Sequence, residues 1–152
     1  VTAAAGGVLD HWVGSPRGRL ALILLLDQLP RAVYRGTPRA FATDAKAVET
    51  ANRGLVSGAD RLLRPIERVF FYLPFEHSED LQDQERCVEL MGKLVEEVPE
   101  PHRETFAGFL DYAERHREII ARFGRFPHRN AVLGRESTAE ELEFLKLPGS
   151  SF

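Results

Sequence analysis

A single cysteine, Cys87, in 152 residues excludes an intrachain disulfide and a cysteine-based zinc cage. It falls in an apolar row with Met91 and Leu94, the pattern of a core thiol, and a reducing, cytoplasmic setting is the expectation. Lysine is scarce, with only Lys46, Lys93 and Lys146. The apolar run Leu20–Leu26 is seven residues long, far below the roughly 20 that span a bilayer. Val1–Gly7 lacks the basic n-region of a signal peptide, so no membrane partner is expected. No stretch alternates polar and apolar with period two over a useful length, so no strand is expected. There is no Walker loop, GxGxxG, GxSxG or CxxC, which removes the best-known phosphate-cradling, dinucleotide, serine-hydrolase and dithiol chemistries.

The basic residues that are present are mostly arginine, seventeen of the twenty. A GC-rich genome favours arginine codons. Guanidinium also serves wherever planar, bidentate contacts to carboxylate or phosphate are needed. The formal net charge of −3 gives no global field for nucleic acid, which is not an expected partner. Only the segment Tyr112–Arg135 is locally basic, with six Arg against two Glu.

Helix signals run the whole length, so residues 1–152 read as one all-α domain of six to eight helices, mostly antiparallel pairs. The first spans Thr2–Val13. Ser15-Pro16 is an N-cap followed by a first-turn proline, opening an all-round apolar, central helix to about Leu29 that Pro30 breaks or restarts. Thr37-Pro38 repeats the signal ahead of a helix ending at Gly58, with Phe41, Ala45, Val48, Asn52 and Leu55 along one face. Pro65 opens Ile66–Leu73, stopped near Pro74. Ser78 caps Glu79–Val98, whose core row is Gln84, Cys87 or Val88, Met91, Leu94 and Val98. A long helix over about His102–Phe123 closes at Gly124. Ser137-Thr138-Ala139-Glu140 forms a capping box for a last short helix.

Three polar clusters are candidates for chemistry. The densest is the end of Tyr112–Asn130, which carries Arg115, His116, Arg122, Arg125, His128, Arg129 and Asn130. Phe123, Phe126 and Pro127 are the stiff residues that would hold the turn and orient Arg125, His128 and Arg129 toward a phosphate or carboxylate. The competing account is a helix C-terminus that attracts cations, with polar side chains satisfying an irregular backbone. His116 lies on the core stripe Phe109, Ala113, His116, Ile120, Phe123, as a satisfied buried imidazole would. Glu114–Arg117 and Glu118–Arg122 are spaced for surface ion pairs. The second cluster is Glu76, His77, Glu79 and Asp80. Its spacing matches no zinc motif, so no metal is assigned. His77 is a candidate general base near neutral pH. In the third, Asp27 and Gln28 follow a fully apolar run. A buried Asp27 or Glu76 needs a cation, and Arg31, Arg125 or Arg129 is the expected partner.

The segments LALILLLDQLPR, YRGTPRAFATDAKA, FFYLPFEHSEDLQDQERC, YAERHREIIARFGRFPHRNAVLGRES and LPGSSF, in this order, resemble a bacterial family catalogued as domain of unknown function 924. The resemblance covers nearly the whole chain. It implies an α–α superhelix of antiparallel helix pairs, similar to tetratricopeptide folds, and an additional N-terminal family segment that this chain lacks. Its polar motifs match Asp27, Gln28, Arg31, Arg35, Glu76, His77, Arg125, His128, Arg129 and Asn130. It implies no activity and no cofactor.

The functional expectation is a pocket for a small anionic ligand formed by Arg31, Glu76, His77, Arg125, His128, Arg129 and Asn130. His77 and His128 are the proton-transfer candidates. The alternative is a tetratricopeptide-like scaffold for a protein partner. Trp12, Phe144 and Phe152 do not all fit one core, which allows a homo-oligomer. A metal-dependent hydrolase would need His77, His128 and carboxylates to converge.

Overall fold

A computed structural model describes residues 1–152. It contains nine α-helices and no strand. Five are long: α2 (Pro16–Leu26), α4 (Asp44–Ser57), α5 (Pro65–Glu76), α6 (Leu81–Glu97) and α7 (Glu100–Phe123). Four are short: α1 (Thr2–Ala5), α3 (Gln28–Val33), α8 (Asn130–Leu133) and α9 (Ala139–Phe144). No helix is long and apolar enough to cross a membrane.

Local chemistry sets most boundaries. The Ser15 hydroxyl accepts from Gly18 N at 3.1 Å and caps α2, with Pro16 at the first position, where its missing N–H costs nothing. Gly58 and Gly124 stand in the left-handed region, with φ of 70° and 68°, and end α4 and α7.

Several expected boundaries move. The helix foreseen over Thr2–Val13 is two pieces, α1 and a 3-10 turn Asp10–Gly14, parted where Gly7 takes φ 83°. The central helix ends at Leu26 instead of about Leu29, and Pro30 sits in the first turn of the restarted helix α3, where amide hydrogens have no helical partner anyway. Pro74 does not stop α5, which continues to Glu76. The three extra residues, Pro74, Phe75 and Glu76, bury Glu76 and bring the half-buried His77 beside Asp27. Asp80, rather than Ser78, caps α6, accepting from Gln82 N at 2.8 Å. The last capping box pairs Thr138 with Glu141, one position later than the Ser137–Glu140 reading.

The main core joins α2, α4, α5, α6 and α7 around Ile23, Phe71, Tyr72, Phe75, Cys87, Met91 and Leu94. Cys87, not Val88, takes the buried position on α6. Only Val98 and Pro99 part α6 from α7, so the pair reverses direction as a hairpin. A smaller core of Ile119, Ile120 and Phe126, backed by Phe123 and Phe144, holds the segment after α7.

On α4 the buried face is Ala47, Thr50, Ala51 and Gly54, not the row through Phe41 and Val48. Small residues win that face because α2 and α5 approach closely there. An added methyl at Gly54 would lie 2.4 Å from Phe71 Cζ and 2.6 Å from Arg19 Cδ. Arg19 is fixed in turn, since its guanidinium donates to Thr50 O at 3.0 Å. The displaced row, Phe41, Ala45 and Val48, lines a cavity.

Helix propensity and packing therefore oppose each other at Gly54. Gly54→Ala gains roughly 1 kcal/mol of propensity and loses about 1–3 kcal/mol to overpacking, so it lowers the urea midpoint. Gly108→Ala on α7 meets open space and raises it by the propensity gain alone. A stabilised Gly54→Ala would contradict the close α2–α4–α5 contact.

Candidate functional site

The junction between α2 and α3 places Asp27 at the centre of a buried network. Asp27 is 1% exposed. Its Oδ1 lies 2.8 Å from His77 Nδ1 and 3.2 Å from Arg31, and its Oδ2 accepts from Gln28 Nε2 at 2.7 Å. Burial opposes ionisation, yet His77, Arg31 and Gln28 together hold this carboxyl down at about 2. It is therefore a carboxylate throughout the neutral range, and it fixes the His77 ring by one nitrogen. No hydrogen bond engages His77 Nε2 within the chain.

Asp44, in the first turn of α4, receives two arginines. Arg31 binds it bidentately at 2.9 and 2.8 Å, and Arg129 Nη1 approaches Oδ2 at 3.4 Å. Arg129 also donates to His77 O at 2.9 Å. Its guanidinium lies between two aromatic faces, 4.6 Å from the Phe41 centroid and 4.5 Å from that of Phe126. Burial, partly offset by Asp44, lowers its pKa to about 10, so it keeps its charge at neutral pH.

Around these groups lies a cavity of about 330 Å³, lined by Arg31, Arg35, Gly36, Ala40, Phe41, His77, His116, Phe126, His128, Arg129, Val132 and Phe152. No aspartate or glutamate is among them. Arg35 is exposed and makes no ion pair or hydrogen bond within the chain. His128 Nδ1 and Arg129 Nε are buried and have no partner. Burial and the neighbouring Arg129 lower the His128 pKa to about 4. A second cavity of about 540 Å³ shares Phe41, His77 and Arg129 with the first and carries Asp44, Glu79 and Asp83 on its wall. His77 thus stands between a cationic and an acidic space.

Four of the seven residues named from the sequence come together here: Arg31, His77, His128 and Arg129 line the cationic cavity. Glu76 borders a separate, mostly apolar cavity and lies 3.6 Å from His116 Nδ1. Arg125 and Asn130 do not join them. They converge on Glu141, which accepts from Arg125 at 2.7 and 2.8 Å, from Thr138 N at 2.8 Å and from Asn130 at 3.2 Å. Arg125 above all, with Thr138 and Asn130, holds the Glu141 carboxyl at about 2. Arg135 extends this frame. It binds Glu79 at 2.6 and 2.9 Å and donates to Asn130 Oδ1 at 3.0 Å, and Glu79 also accepts from Phe126 N at 2.8 Å. These pairs shape the turn that presents His128 and Arg129.

Other pairings differ from expectation. Asp27 takes Arg31, as foreseen, and adds His77; Glu76 takes no arginine. Arg122 pairs with Glu140 at 2.8 Å rather than with Glu118, and Glu114–Arg117 is not formed. No three His, Cys, Asp or Glu residues are placed to hold a metal ion. Asp44 carries no distinguishing signal in the sequence, and the expected place of Phe41 on a helix face hid its role as a platform for Arg129.

Glu76 and His116 form a buried pair of unusual character. His116 is 3% exposed and its Nδ1 contacts Tyr112 O at 2.7 Å. Burial lowers its pKa to about 3 and raises that of Glu76 to about 7. Between about pH 3 and about pH 7 both are neutral, so their 3.6 Å approach is not an ion pair there.

The folded chain keeps a proton on Glu76 in a range where the unfolded chain, at the ordinary 4.5, has released it. The stability this adds is complete below the unfolded pKa and is lost as pH rises through 7. Glu76→Gln has no such proton to lose. Its melting temperature should gain on that of the wild type between about pH 5 and about pH 8, with an upper limit of roughly 3 kcal/mol. A flat or opposite difference would contradict the neutral buried carboxyl.

Among curated proteins, no sequence matches. A solved structure of a protein of unknown function from Agrobacterium tumefaciens, ATU0120, is similar, with 43% identity and a TM-score of 0.84; the match covers 95% of this chain and 76% of that one. A bacterial protein family of unknown function, DUF924, matches residues 1–149. The chain belongs to this family.

Proposed function

We propose that the chain binds a small anionic ligand, a phosphate or carboxylate compound or the acidic end of a peptide, in the cavity walled by Arg31, Arg35, His77, His128 and Arg129. One observation carries this reading: the cavity has no acidic wall residue, while Arg35, His128 Nδ1 and Arg129 Nε lack partners inside the chain. A buried nitrogen without a partner costs about 1–3 kcal/mol, and native structures rarely keep one without a reason. Arg31 and much of Arg129 are already neutralised by Asp27 and Asp44. The uncancelled charge is that of Arg35, an arm at the rim over a fixed floor. Arg125 and Asn130 act one step away, by holding the turn.

His77 is the group placed to move a proton. Asp27 holds one ring nitrogen, which leaves Nε2 free beside both cavities, the arrangement in which a carboxylate orients a general base. His128, neutral above about pH 4, is the second candidate.

The alternative, a tetratricopeptide-like interaction scaffold, has one observation in its favour. Ile66 and Phe70 lie one turn apart on α5 and remain exposed, as does Leu62 in the turn before it.

Inorganic phosphate tests the first reading. It should raise the melting temperature in proportion to the logarithm of its concentration, by about 2.7 kcal/mol of stability at a hundredfold excess over Kd. Arg35→Ala, at an exposed unpaired site, should leave the ligand-free melting temperature unchanged and remove most of the rise. No rise in the wild type, or an equal rise in the variant, would overturn the reading and bring the scaffold forward.

A further inference from the structure

We propose that the ligand of the cationic cavity carries a planar aromatic ring beside its anionic group, and that the Phe152 side chain occupies the place of that ring. The inference rests on the anion reading of the same cavity and adds the ligand's second half.

The wall has two chemistries. One side is guanidinium, from Arg31, Arg35 and Arg129. The other is aromatic, and its flat element is His116. The imidazole of His116 is held from several directions: its Nδ1 meets Tyr112 O at 2.7 Å, and Phe126 packs against it at 5.6 Å, nearly perpendicular. Burial keeps the ring uncharged to about pH 3. A fixed, neutral, flat ring at a cavity wall is a ready stacking platform.

The Phe152 ring lies on that platform, with centroids 3.8 Å apart and planes at 30°. Tyr112 and His128 meet it edge-on at 6.5 and 6.1 Å. A phenylalanine that serves packing is enclosed; Phe126, in the small core, is 0% exposed. Phe152 is 46% exposed, so it covers the platform with one face and loses little when displaced. An inorganic anion would satisfy the guanidinium side alone. An aryl or heteroaryl anion satisfies both, and a cavity of about 330 Å³ is at the small end of the range for organic ligands.

Titration calorimetry with phenyl phosphate and inorganic phosphate, on wild type, Phe152→Ala and Arg35→Ala, tests the idea. Phe152→Ala should bind phenyl phosphate about fivefold more tightly than wild type, the strength of one aromatic stack, while its affinity for inorganic phosphate stays the same. Phe152→Leu, bulky but unable to stack flat, should fall between the two. Circular dichroism at the titration temperature should give one helical signal for all four proteins. An unchanged or reduced preference for phenyl phosphate in Phe152→Ala, alongside phosphate binding that needs Arg35, overturns the aromatic slot and leaves the anion site standing. Absence of any Arg35-dependent binding overturns both.

Discussion

Asp44 accepts from two guanidinium groups, and the arrangement of the candidate site depends on that sharing. Arg31 comes from α3, Arg129 from the turn after α7, and Asp44 from the first turn of α4. One carboxylate therefore ties together parts of the chain separated by 85 residues. Charges so far from water are tolerated only when paired and hydrogen-bonded. Here the pairing is completed by Asp27, by the carbonyl of His77 and by the faces of Phe41 and Phe126. Removing any one partner leaves a charge uncompensated, so the cluster forms as a unit.

The same balance explains why a cavity with a net cationic wall exists. Two aspartates and two arginines cancel within the network. Arg35 lies outside it, on the exposed side, and His128 and Arg129 each keep a nitrogen without a partner. A second frame, Glu79–Arg135 with Glu141–Arg125, fixes the turn from behind. Rigid support beneath a sparsely satisfied surface is the arrangement a binding site needs, because the ordering has been completed before the ligand arrives.

The helical class was legible because its signals are local. Serine before proline reads directly into the start of α2, and glycine after an amphipathic run into the ends of α4 and α7. The site was half legible. Asp27, Glu76, His77, His128 and Arg129 stand out as polar residues beside apolar or stiff ones, and burial of such residues demands partners. Which partner each takes was not local information. Asp44 looks like any helix acid until α3 and the turn after α7 arrive beside it. Arg125 and Asn130 resemble ligand groups until Glu141, one position past the acid expected in the capping box, claims both. The row Phe41, Ala45 and Val48 is not the buried face of α4, because contact between helices outweighs the periodicity of a single one. Pro30 falls in the first turn of α3, where its amide would have had no helical partner, whereas Pro74 was overread as a stop, since α5 continues past it to Glu76.

The proposed anion site gathers Arg35 with the unpartnered nitrogens of His128 and Arg129 in one cavity without an acidic wall residue. Amide nitrogen–proton correlation spectra during titration with inorganic phosphate address it directly. The account predicts concentration-dependent shifts confined to the residues around Arg35, Gly36, His77, His128, Arg129 and Val132, saturating together with a single dissociation constant. Shifts centred instead on the charged cleft of Arg61, Arg68, Arg86 and Lys93, or spread evenly over surface arginines without saturation, would contradict it.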